Sequence, residues 1–246
     1  PIMSTYFKNF PITPYSFGNN LANVGFPNIS AYVEVIDVVK DTIAFYRKFY
    51  IQEGDRPDQV SMQLYDTPDY YYTFFMMNDN IREQGWPLSE QQLKERATTD
   101  FPHQVLTTNA ILTGIFKVGA MISGSTSGAT GKIIGRNLDL GQIIIDRTTI
   151  VGTFRKTEII TSQVGDSIQS VTLTNSIDQG NAIKHYVNGD KQLSDINPHS
   201  GVISSELTPI TNLEYYREQN NGLKEIKVIK PGSIAQIAKA FREEFR

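Results

Sequence analysis

A glycine-rich run comes nearest to a chemical motif in this sequence. Residues 124–132 read Gly-Ser-Thr-Ser-Gly-Ala-Thr-Gly-Lys, and a similar run in phosphate-binding loops surrounds phosphate oxygens with backbone N–H groups. That motif needs Gly where this chain has Thr126, and Ser or Thr where it has Ile133. The flanking sequence predicts strands, whereas a phosphate site uses a helix N-terminus. We therefore expect a hairpin tip that binds no nucleotide.

Other catalytic and metal-binding patterns fail on spacing. None of the three histidines, His103, His185 and His199, has a second histidine at helical metal spacing, and the chain contains no HExxH motif. The chain contains no Gly-x-Ser-x-Gly elbow for a serine nucleophile and no cysteine. Two carboxylates can always meet in a fold, but no acidic residue stands in a recognisable glycosidase context. We expect no enzyme activity, no cofactor and no metal site.

Composition indicates a folded protein with a packed core. Hydrophobic residues make up 39% and charged residues 20% of 246 positions, which suits one or two domains. A net charge of -3 does not favour binding to nucleic acid. No apolar run approaches the roughly 18 residues of a membrane span, and the first residues lack the features of a secretory signal. We expect a protein of a reducing cytoplasm, without nucleic-acid or membrane partners.

Composition also divides the chain into an arm, a core and an insert. Residues 1–30 are rich in Pro, Asn and Gly, which predicts an extended arm that becomes ordered on a partner or packs on its own domain. Residues 105–183 hold ten of the eighteen glycines and only two aromatic residues. We therefore predict a core formed by residues 31–104 and 184–246, interrupted by an inserted β domain at 105–183.

The first core elements follow from β-branched and aromatic runs. Residues 31–39 and 43–52 predict a β-hairpin, with a helix as the alternative because apolar residues of both runs also share one helical face. Asp55 is predicted to cap a helix that has Pro57 in its first turn. Its inward-facing side chains are expected to be Val60, Leu64 and Met62. Thr67 is predicted to cap a second helix at residues 68–77, which is apolar nearly all round and therefore buried.

The insert contains a weak internal repeat. Residues 114–123 align with residues 152–161, and each segment has Gly, then Phe two residues on, a basic residue and a later apolar pair. The two phenylalanines are Phe116 and Phe154. Two similar strand pairs of this length predict a small closed or nearly closed β-barrel, a fold that leaves no edge strands exposed.

Three elements are predicted after the insert. Residues 185–187 predict a strand followed by a turn at 188–190, and residues 223–229 alternate apolar and charged side chains as a strand does. Ser233 is predicted to cap the last helix. Its apolar stripe is expected to pack on the chain's own core, or alternatively on a partner subunit; the stripe is formed by Ile234, Ile237, Ala238, Phe241 and Phe245.

The order of motifs between residues 50 and 86 resembles that of a known family. The sequence runs through Arg56-Pro57-Asp58, the aromatic stretch 68–77, Asn78-Asp79 and Gly85-Trp86. This order is similar to that of baseplate wedge subunits of T-even-type contractile-tailed phages, the gene product 53 family. The resemblance returns weakly near Tyr186 and at residues 223–229 with the final helix, and it covers about two thirds of the chain.

The resemblance implies an α+β fold: a LysM-like core with an extended N-terminal arm and an inserted small β-barrel domain. It implies a structural subunit of the virion's tail baseplate, present in several copies, that binds other wedge subunits in a hetero-oligomeric assembly and helps to join wedges around the hub. No small-molecule substrate is implied. The insert departs from the family pattern and resembles β modules of phage structural proteins, on Phe116, Gly119 and residues 127–131.

Two alternatives and a set of contact residues accompany this interpretation. The first alternative is a peptidoglycan- or glycan-binding LysM-type protein, and the second is a tail-associated hydrolase. Aromatic side chains and arginine are favoured at protein interfaces. The expected partner contacts are Phe7, Phe10, Pro11, Tyr15 and Phe17 in the arm, with Arg56, Tyr70 and Trp86 on the LysM-like module. Packing within the chain itself is the alternative for most of them.

Overall fold

The computed structural model of the chain describes residues 12–16, 24–27, 39–40, 42–200 and 203–244. They form an α+β protein, which confirms the predicted class. The helices are α1 (Pro57–Tyr65), α2 (Tyr72–Met77), α3 (Asp79–Gln84), α4 (Glu90–Asp100), α5 (Asn212–Gly222) and α6 (Pro231–Glu244).

The chain divides into two compact units. The first contains the described residues up to Ser89 and from Asn220 onward, and the second contains Glu90–Gln219. The predicted insert, 105–183, lies within the second unit. Its boundaries remain a prediction.

The described strands form four sheets, and every strand pair in them is antiparallel. The first unit has two two-stranded sheets: β1 (Ile12–Tyr15) with β2 (Val24–Pro27), and β3 (Tyr46–Tyr50) with β14 (Glu225–Ile229). The second unit has a three-stranded sheet in which β11 (Ile183–Val187) lies between β12 (Leu193–Ser194) and β13 (Thr208–Thr211).

The remaining sheet of the second unit has seven strands in the order β10-β4-β7-β6-β5-β8-β9. Their bounds are β4 Gln104–Thr107, β5 Met121–Gly124, β6 Thr130–Asn137, β7 Gln142–Ile145, β8 Ile159–Val164, β9 Ser167–Thr172 and β10 Asn175–Asp178. The two edge strands, β9 and β10, follow each other in the chain, with only Leu173 and Thr174 between them.

The core of the first unit forms where α2 and α6 pack with the β3–β14 sheet. Tyr72 and Phe74 are at most 1% exposed, as is Phe241, and a fully buried ring of this size contributes about 2–3 kcal/mol. Burial of α2 on most sides confirms the prediction for the aromatic stretch. The α6 stripe is likewise buried within the unit at Ile234, Ile237, Ala238 and Phe241; Phe245 lies outside the described residues.

The start of α1 differs from the prediction by one residue. Pro57 does occupy the first turn, but the N-cap is Arg56, whose backbone N–H donates to Gln59 Oε1 at 3.1 Å. The Asp55 carboxylate is instead engaged by the backbone N–H of Gln52 at 3.1 Å. The prediction that Met62 faces inward is wrong, since it is 49% exposed. Ser61 is buried in its stead, with Val60 beside it.

The second predicted helix is divided in two. Thr67 caps it as expected, with its hydroxyl accepting from the backbone N–H of Asp69, but the chain first makes a 3-10 turn at Pro68–Tyr70 and only then α2. The last helix also starts earlier than predicted. It begins at Pro231, so Ser233 lies within its first turn.

The hairpin predicted from residues 31–52 is only partly described. Residues 31–38 lie outside the described part, and Val39 and Lys40 are helical. The second run forms β3, which pairs with β14 from the far end of the chain, Phe49 opposite Ile226. In contrast, the strand and turn predicted at residues 185–190 are confirmed by β11 and by the hydrogen bond from the Lys191 N–H to the Asn188 carbonyl at 2.9 Å.

The internal repeat of the second unit is confirmed as a structural repeat. Gly119 N–H donates to the Ile133 carbonyl at 2.8 Å, and Ile133 N–H donates to the Ala120 carbonyl at 2.9 Å. The second copy has the same pair of bonds, from Thr157 to Leu173 at 2.9 Å and from Leu173 to Glu158 at 2.8 Å. The turn residues Gly119 and Thr157 both have positive φ, 92° and 68°.

The two copies meet along β5 and β8 with local two-fold symmetry. Ser123 is paired with Thr161, its counterpart in the other copy. On either side of this pair, Ile122 faces Ser162 and Gly124 faces Ile160, so exchanging the two copies reproduces the register. The repeated phenylalanines, Phe116 and Phe154, are at most 3% exposed in the same hydrophobic cluster. The sequence repeat therefore encodes a pair of hairpins that share one core.

Candidate partner-binding surfaces

The arm contains a small hairpin that exposes its apolar side chains. In β1, Ile12 is 52% and Tyr15 57% exposed, and in β2, Val24 is 47% and Phe26 42% exposed. The rings of Tyr15 and Phe26 lie edge to face, with centroids 6.4 Å apart. These two strands form a sheet of their own, and an isolated two-stranded hairpin is marginally stable in water. The arrangement suits a segment that gains stability against another surface.

The arm residues predicted as contacts are described only in part. Tyr15 lies on this exposed hairpin. The other four, Phe7, Phe10, Pro11 and Phe17, lie outside the described residues.

Arg56 remains largely exposed on the first unit. Its side chain is 67% exposed, and its guanidinium donates twice to the Asp58 carboxylate, at 3.1 and 2.6 Å. The hydrogen bond from Arg56 holds the pKa of Asp58 below its ordinary value. Such an exposed pair contributes little to stability, about 0–1 kcal/mol. Because the Arg56 side chain is largely exposed, its guanidinium lies at the surface beside α1.

Trp86 and Tyr70 pack within the first unit. The Trp86 indole N–H donates to the Asp55 carbonyl at 2.7 Å, and its ring lies 6.0 Å from that of Phe74. The Tyr70 ring meets that of Tyr65 edge to face, with 5.7 Å between centroids. Both residues are half-buried. These contacts hold the loops around α1 and α2 in place. Trp86 and Tyr70 therefore pack within the chain itself, which is the alternative given for the predicted partner contacts.

Asn78 closes one edge of the β3–β14 sheet. It is 7% exposed, and its side-chain amide makes two bonds with the backbone of Lys227, at 2.7 Å to the N–H and 2.8 Å to the carbonyl. The same side-chain NH2 group donates to the carbonyl of Phe74 at 2.8 Å. The Asn78 side chain thus makes the hydrogen bonds at Lys227 that a neighbouring strand would make, and it links α2 to β14. An open sheet edge at this place would invite pairing with another chain.

The glycine-rich loop surrounds a carboxylate of the chain itself. Glu158, only 5% exposed, accepts hydrogen bonds from the backbone N–H groups of Thr126 at 3.2 Å and Ser127 at 2.9 Å, and from the Ser127 hydroxyl at 2.9 Å. The backbone N–H of Arg155 donates to it as well. A side chain at Gly124 would meet the carboxylate, because an added Cβ would lie 2.6 Å from Glu158 Oε2. The loop's donors are therefore taken by an internal anion.

These bonds determine the charge state of Glu158. Burial raises the pKa of this carboxyl, but the hydrogen bonds from Arg155, Ser127 and Thr126 outweigh burial and hold the pKa below the ordinary 4.5. Glu158 is therefore ionised at neutral pH. This explains in physical terms why the run that resembles a phosphate-binding loop does not offer its N–H groups to a phosphate.

The three histidines lie in three different environments. His103 Nδ1 is 3.9 Å from Asp146 Oδ1, the His185 ring lies edge to face with Tyr215, and His199 Nδ1 is 3.2 Å from the Asn109 carbonyl. Over the described ranges, no three His, Cys, Asp or Glu side chains gather in a way that could hold a metal ion.

The second unit also has a surface groove of about 580 Å³, lined in part by α4. Arg147 and Asp178 lie on its wall and form an ion pair of 2.6 Å, with both side chains about 60% exposed. Phe101 and Leu213 provide apolar lining. The groove therefore presents both charged and apolar contact area.

Two functionally informative residues, Glu158 and Asn78, were missed by sequence reasoning. In the internal repeat, Glu158 aligns with Ala120. The alignment therefore contained a signal for Glu158, because a carboxylate stands where the other copy has alanine. The helix predicted at residues 68–77 stops just before Asn78, which is the C-cap of α2. Nothing in the sequence indicates that its amide reaches the backbone of Lys227.

Searches against protein families and against curated proteins find no match for this chain. No helix among the described residues is both long and apolar enough to cross a membrane.

Proposed function

We propose that this chain is a structural subunit of a phage tail baseplate wedge. It binds neighbouring wedge subunits in a hetero-oligomeric assembly and helps to join wedges around the hub. Its place is the virion, after assembly in the bacterial cytoplasm, and its role needs no substrate, cofactor or catalytic residue.

The observation that carries the proposal is the exposed arm hairpin. Four large apolar side chains, those of Ile12, Tyr15, Val24 and Phe26, are each more than 40% exposed on a two-stranded sheet of its own. The thirty residues of the predicted arm contain a single charged side chain, Lys8. A segment with so little charge and with these exposed apolar side chains gains most by burial against another protein.

A LysM-like core is part of the proposal. In support, β3 leads through α1 and α2, and β14 pairs antiparallel with β3. LysM-like modules have a strand, two short helices and a closing strand in this order. Here the short helix α3 follows α1 and α2, and the second unit is inserted in the chain before the closing strand.

We propose in addition that the seven-stranded sheet closes as a small barrel. Its two edge strands, β9 and β10, are joined by Leu173 and Thr174 alone. Thr174 N–H donates to the Thr107 carbonyl at 2.7 Å, and the Thr108 hydroxyl donates to the Thr172 carbonyl at 2.8 Å. Both bonds lie where the two ends of the sheet would meet, and closure would leave no edge strand exposed.

Glycan binding receives no comparable support. The aromatic side chains of the stretch 68–77 are largely internal, with Tyr71 at 5%, Tyr72 at 1% and Phe74 at 0% exposure. A sugar ring needs an accessible aromatic face.

The test is assembly with an altered arm. A chain lacking residues 1–30, and a full-length Tyr15→Ala, Phe26→Ala double variant, are expected to be depleted from purified particles, because both lose the exposed apolar contacts. The matched control is Ile159→Ala with Ile168→Ala, which removes two comparably exposed apolar side chains from the second unit. Full incorporation of both arm variants would contradict the proposal, and so would retention of the intact protein on peptidoglycan.

A further inference from the structure

The two outer edges of the β3–β14 sheet in the first unit differ. Along β14, the Asn78 side chain bonds with the N–H and the carbonyl of Lys227, at 2.7 and 2.8 Å. Along β3, no strand in the described part of the chain pairs with the outer edge. One edge of this two-stranded sheet is therefore occupied near its centre by a side chain, and the other has no neighbour strand.

The hydrogen-bond pattern directs the backbone of Lys48 outward. Just past β3, the Ile51 N–H donates to the Lys224 carbonyl at 2.9 Å, and the residues that bond to the opposite strand alternate along an antiparallel ladder. The N–H and C=O of Lys48 therefore point away from β14. Its register partner Lys227 agrees, because the backbone of Lys227 bonds outward to Asn78. On β3 the outward set consists of Tyr46, Lys48 and Tyr50.

These outward groups of β3 can pair with a further strand. Among the described residues, the N–H and C=O groups of Tyr46 and Lys48 have no hydrogen-bond partner on this side. The Tyr50 carbonyl has a long contact of 3.4 Å with Gln52 Nε2. The Lys48 side chain is 72% exposed. A row of such backbone groups on an exposed edge is a template for strand addition.

The side chains of β3 favour an acidic strand. The sequence of β3 is Tyr-Arg-Lys-Phe-Tyr, with two cations and no acid. Lys48 forms an ion pair with Glu225 in which both side chains are at least 60% exposed, and such a pair contributes little and is easily exchanged. An acidic residue opposite Lys48 would add a favourable cross-strand pair. A second copy of β3 in the symmetric antiparallel register would instead place Lys48 opposite Lys48, which is unfavourable.

We propose that the outer edge of β3 binds an acidic extended segment of a partner protein, which adds as a third, antiparallel strand with Asp or Glu opposite Lys48. The backbone of this segment pairs with the outward groups of β3, and its carboxylate selects it over neutral or basic strands. The identity of the partner as a neighbouring subunit rests on the proposed assembly function. The edge and its charge belong to the first unit alone.

The first experiment uses the capped peptide acetyl-Thr-Val-Glu-Val-Thr-amide, whose central Glu can lie opposite Lys48. The full chain is isotope-labelled at nitrogen and titrated with this peptide by NMR. The amide signals of Tyr46 and Lys48 are expected to shift, to saturate together and to gain protection from hydrogen exchange. Those of Ile143 and Ile145, within the seven-stranded sheet, are expected to stay in place. Absence of saturable shifts at Tyr46 and Lys48 would overturn the proposal.

A second peptide separates strand pairing from charge attraction. It has the same sequence with an N-methyl group on Glu, so it keeps the carboxylate and loses the N–H that would donate to the Lys48 carbonyl. We expect this peptide to bind on the order of tenfold more weakly, because the hydrogen bond is lost and the methyl group separates the strands. Equal binding of the two peptides would show that no strand is added.

Lys48→Glu tests the preference for an acidic strand. We expect this variant to bind the Glu peptide about fivefold more weakly than the parent does, and to prefer acetyl-Thr-Val-Lys-Val-Thr-amide. Because Lys48 is exposed, the fold should be kept, and the amide spectrum of the variant verifies that. Lys117→Glu, the same charge change at an exposed position of the second unit, is the matched control. An unchanged peptide preference in Lys48→Glu would refute the acidic partner.

A second copy of the chain is the competing occupant of this edge. Sedimentation of the full chain is expected to show no dimer that the Glu peptide dissociates. Such a peptide-sensitive dimer would assign the edge to a second copy and overturn the acidic partner. None of these results needs particle assembly, so failure here and failure of the arm variants are separate outcomes.

Discussion

At the scale of single residues, Glu158 gives a structural role to the glycine-rich loop that resembles a phosphate-binding loop. Four donors converge on this carboxylate, three of them backbone N–H groups from the glycine-rich loop and from the turn before β8. Buried N–H groups must be paired in the folded protein. The loop therefore depends on Glu158 as much as Glu158 depends on the loop.

Replacing Glu158 is expected to destabilise the protein. Glu158→Gln exchanges an acceptor oxygen for an NH2 group that faces N–H donors, so we expect a loss of about 2–4 kcal/mol in the free energy of unfolding. Urea denaturation followed by circular dichroism measures the change. The control is Glu206→Gln, at an exposed position. A Glu158→Gln midpoint equal to that of the control would show that the carboxylate is dispensable.

The same carboxylate should make stability depend on pH. Its pKa is lowered in the folded state, so ionised Glu158 stabilises the fold fully above the unfolded pKa near 4.5, and this stabilisation is lost as pH falls through the lower folded value. We expect the stability gap between the parent and Glu158→Gln to be largest at pH 7 and to narrow at pH values below 4.5. Urea midpoints of both proteins at pH 7 and pH 3.5 give the comparison. A gap that widens in acid would have the wrong sign.

At the scale of elements, the Asn78 amide joins α2 to β14. Asn78→Ala removes three hydrogen bonds and leaves the backbone of Lys227 without them in a partly buried place. We expect a cost of about 2–3 kcal/mol, read from the fluorescence of the single tryptophan, Trp86, during urea unfolding. Asn80→Ala, two residues further on and half-buried, is the control. Equal urea midpoints for the two variants would argue against a stabilising link between α2 and β14 through Asn78.

Local signals predicted the elements well, and long-range contacts explain where prediction failed. Pro57 and Thr67 mark helix starts because a fixed φ or a side-chain acceptor acts over one turn. The N-cap shifted from Asp55 to Arg56 because the Asp55 carboxylate accepts from Gln52. Such competition between two neighbouring acceptors is not visible in residue preferences.

The candidate contacts show the same limit. Trp86 and Tyr15 are both aromatic residues that were predicted as partner contacts, yet Trp86 packs against Phe74 while Tyr15 is 57% exposed. Which ring is buried depends on elements distant in the sequence. The repeat was predictable because Phe116 and Phe154 recur with the same neighbours. Its two-fold pairing along β5 and β8 was not, since register is set by the assembled sheet.

At the scale of the whole molecule, the two units offer different kinds of surface. The first carries the exposed arm hairpin and Arg56, and the second carries the surface groove lined in part by α4. Several modest contacts on one chain add up when the partners are held in one assembly, because each further contact forms at high effective concentration. Under the proposed function, several such contacts together would hold the chain in its assembly.

The measurement that tests the central claim most directly is the location of the chain in a particle. Intact phage would be purified, the tails disassembled, and the baseplate fraction quantified by mass spectrometry. A structural wedge subunit must be present there in fixed ratio to the other baseplate proteins, and we predict that result. Absence of the chain from particles, with recovery from the lysate on cell-wall material, would contradict the account and favour glycan binding.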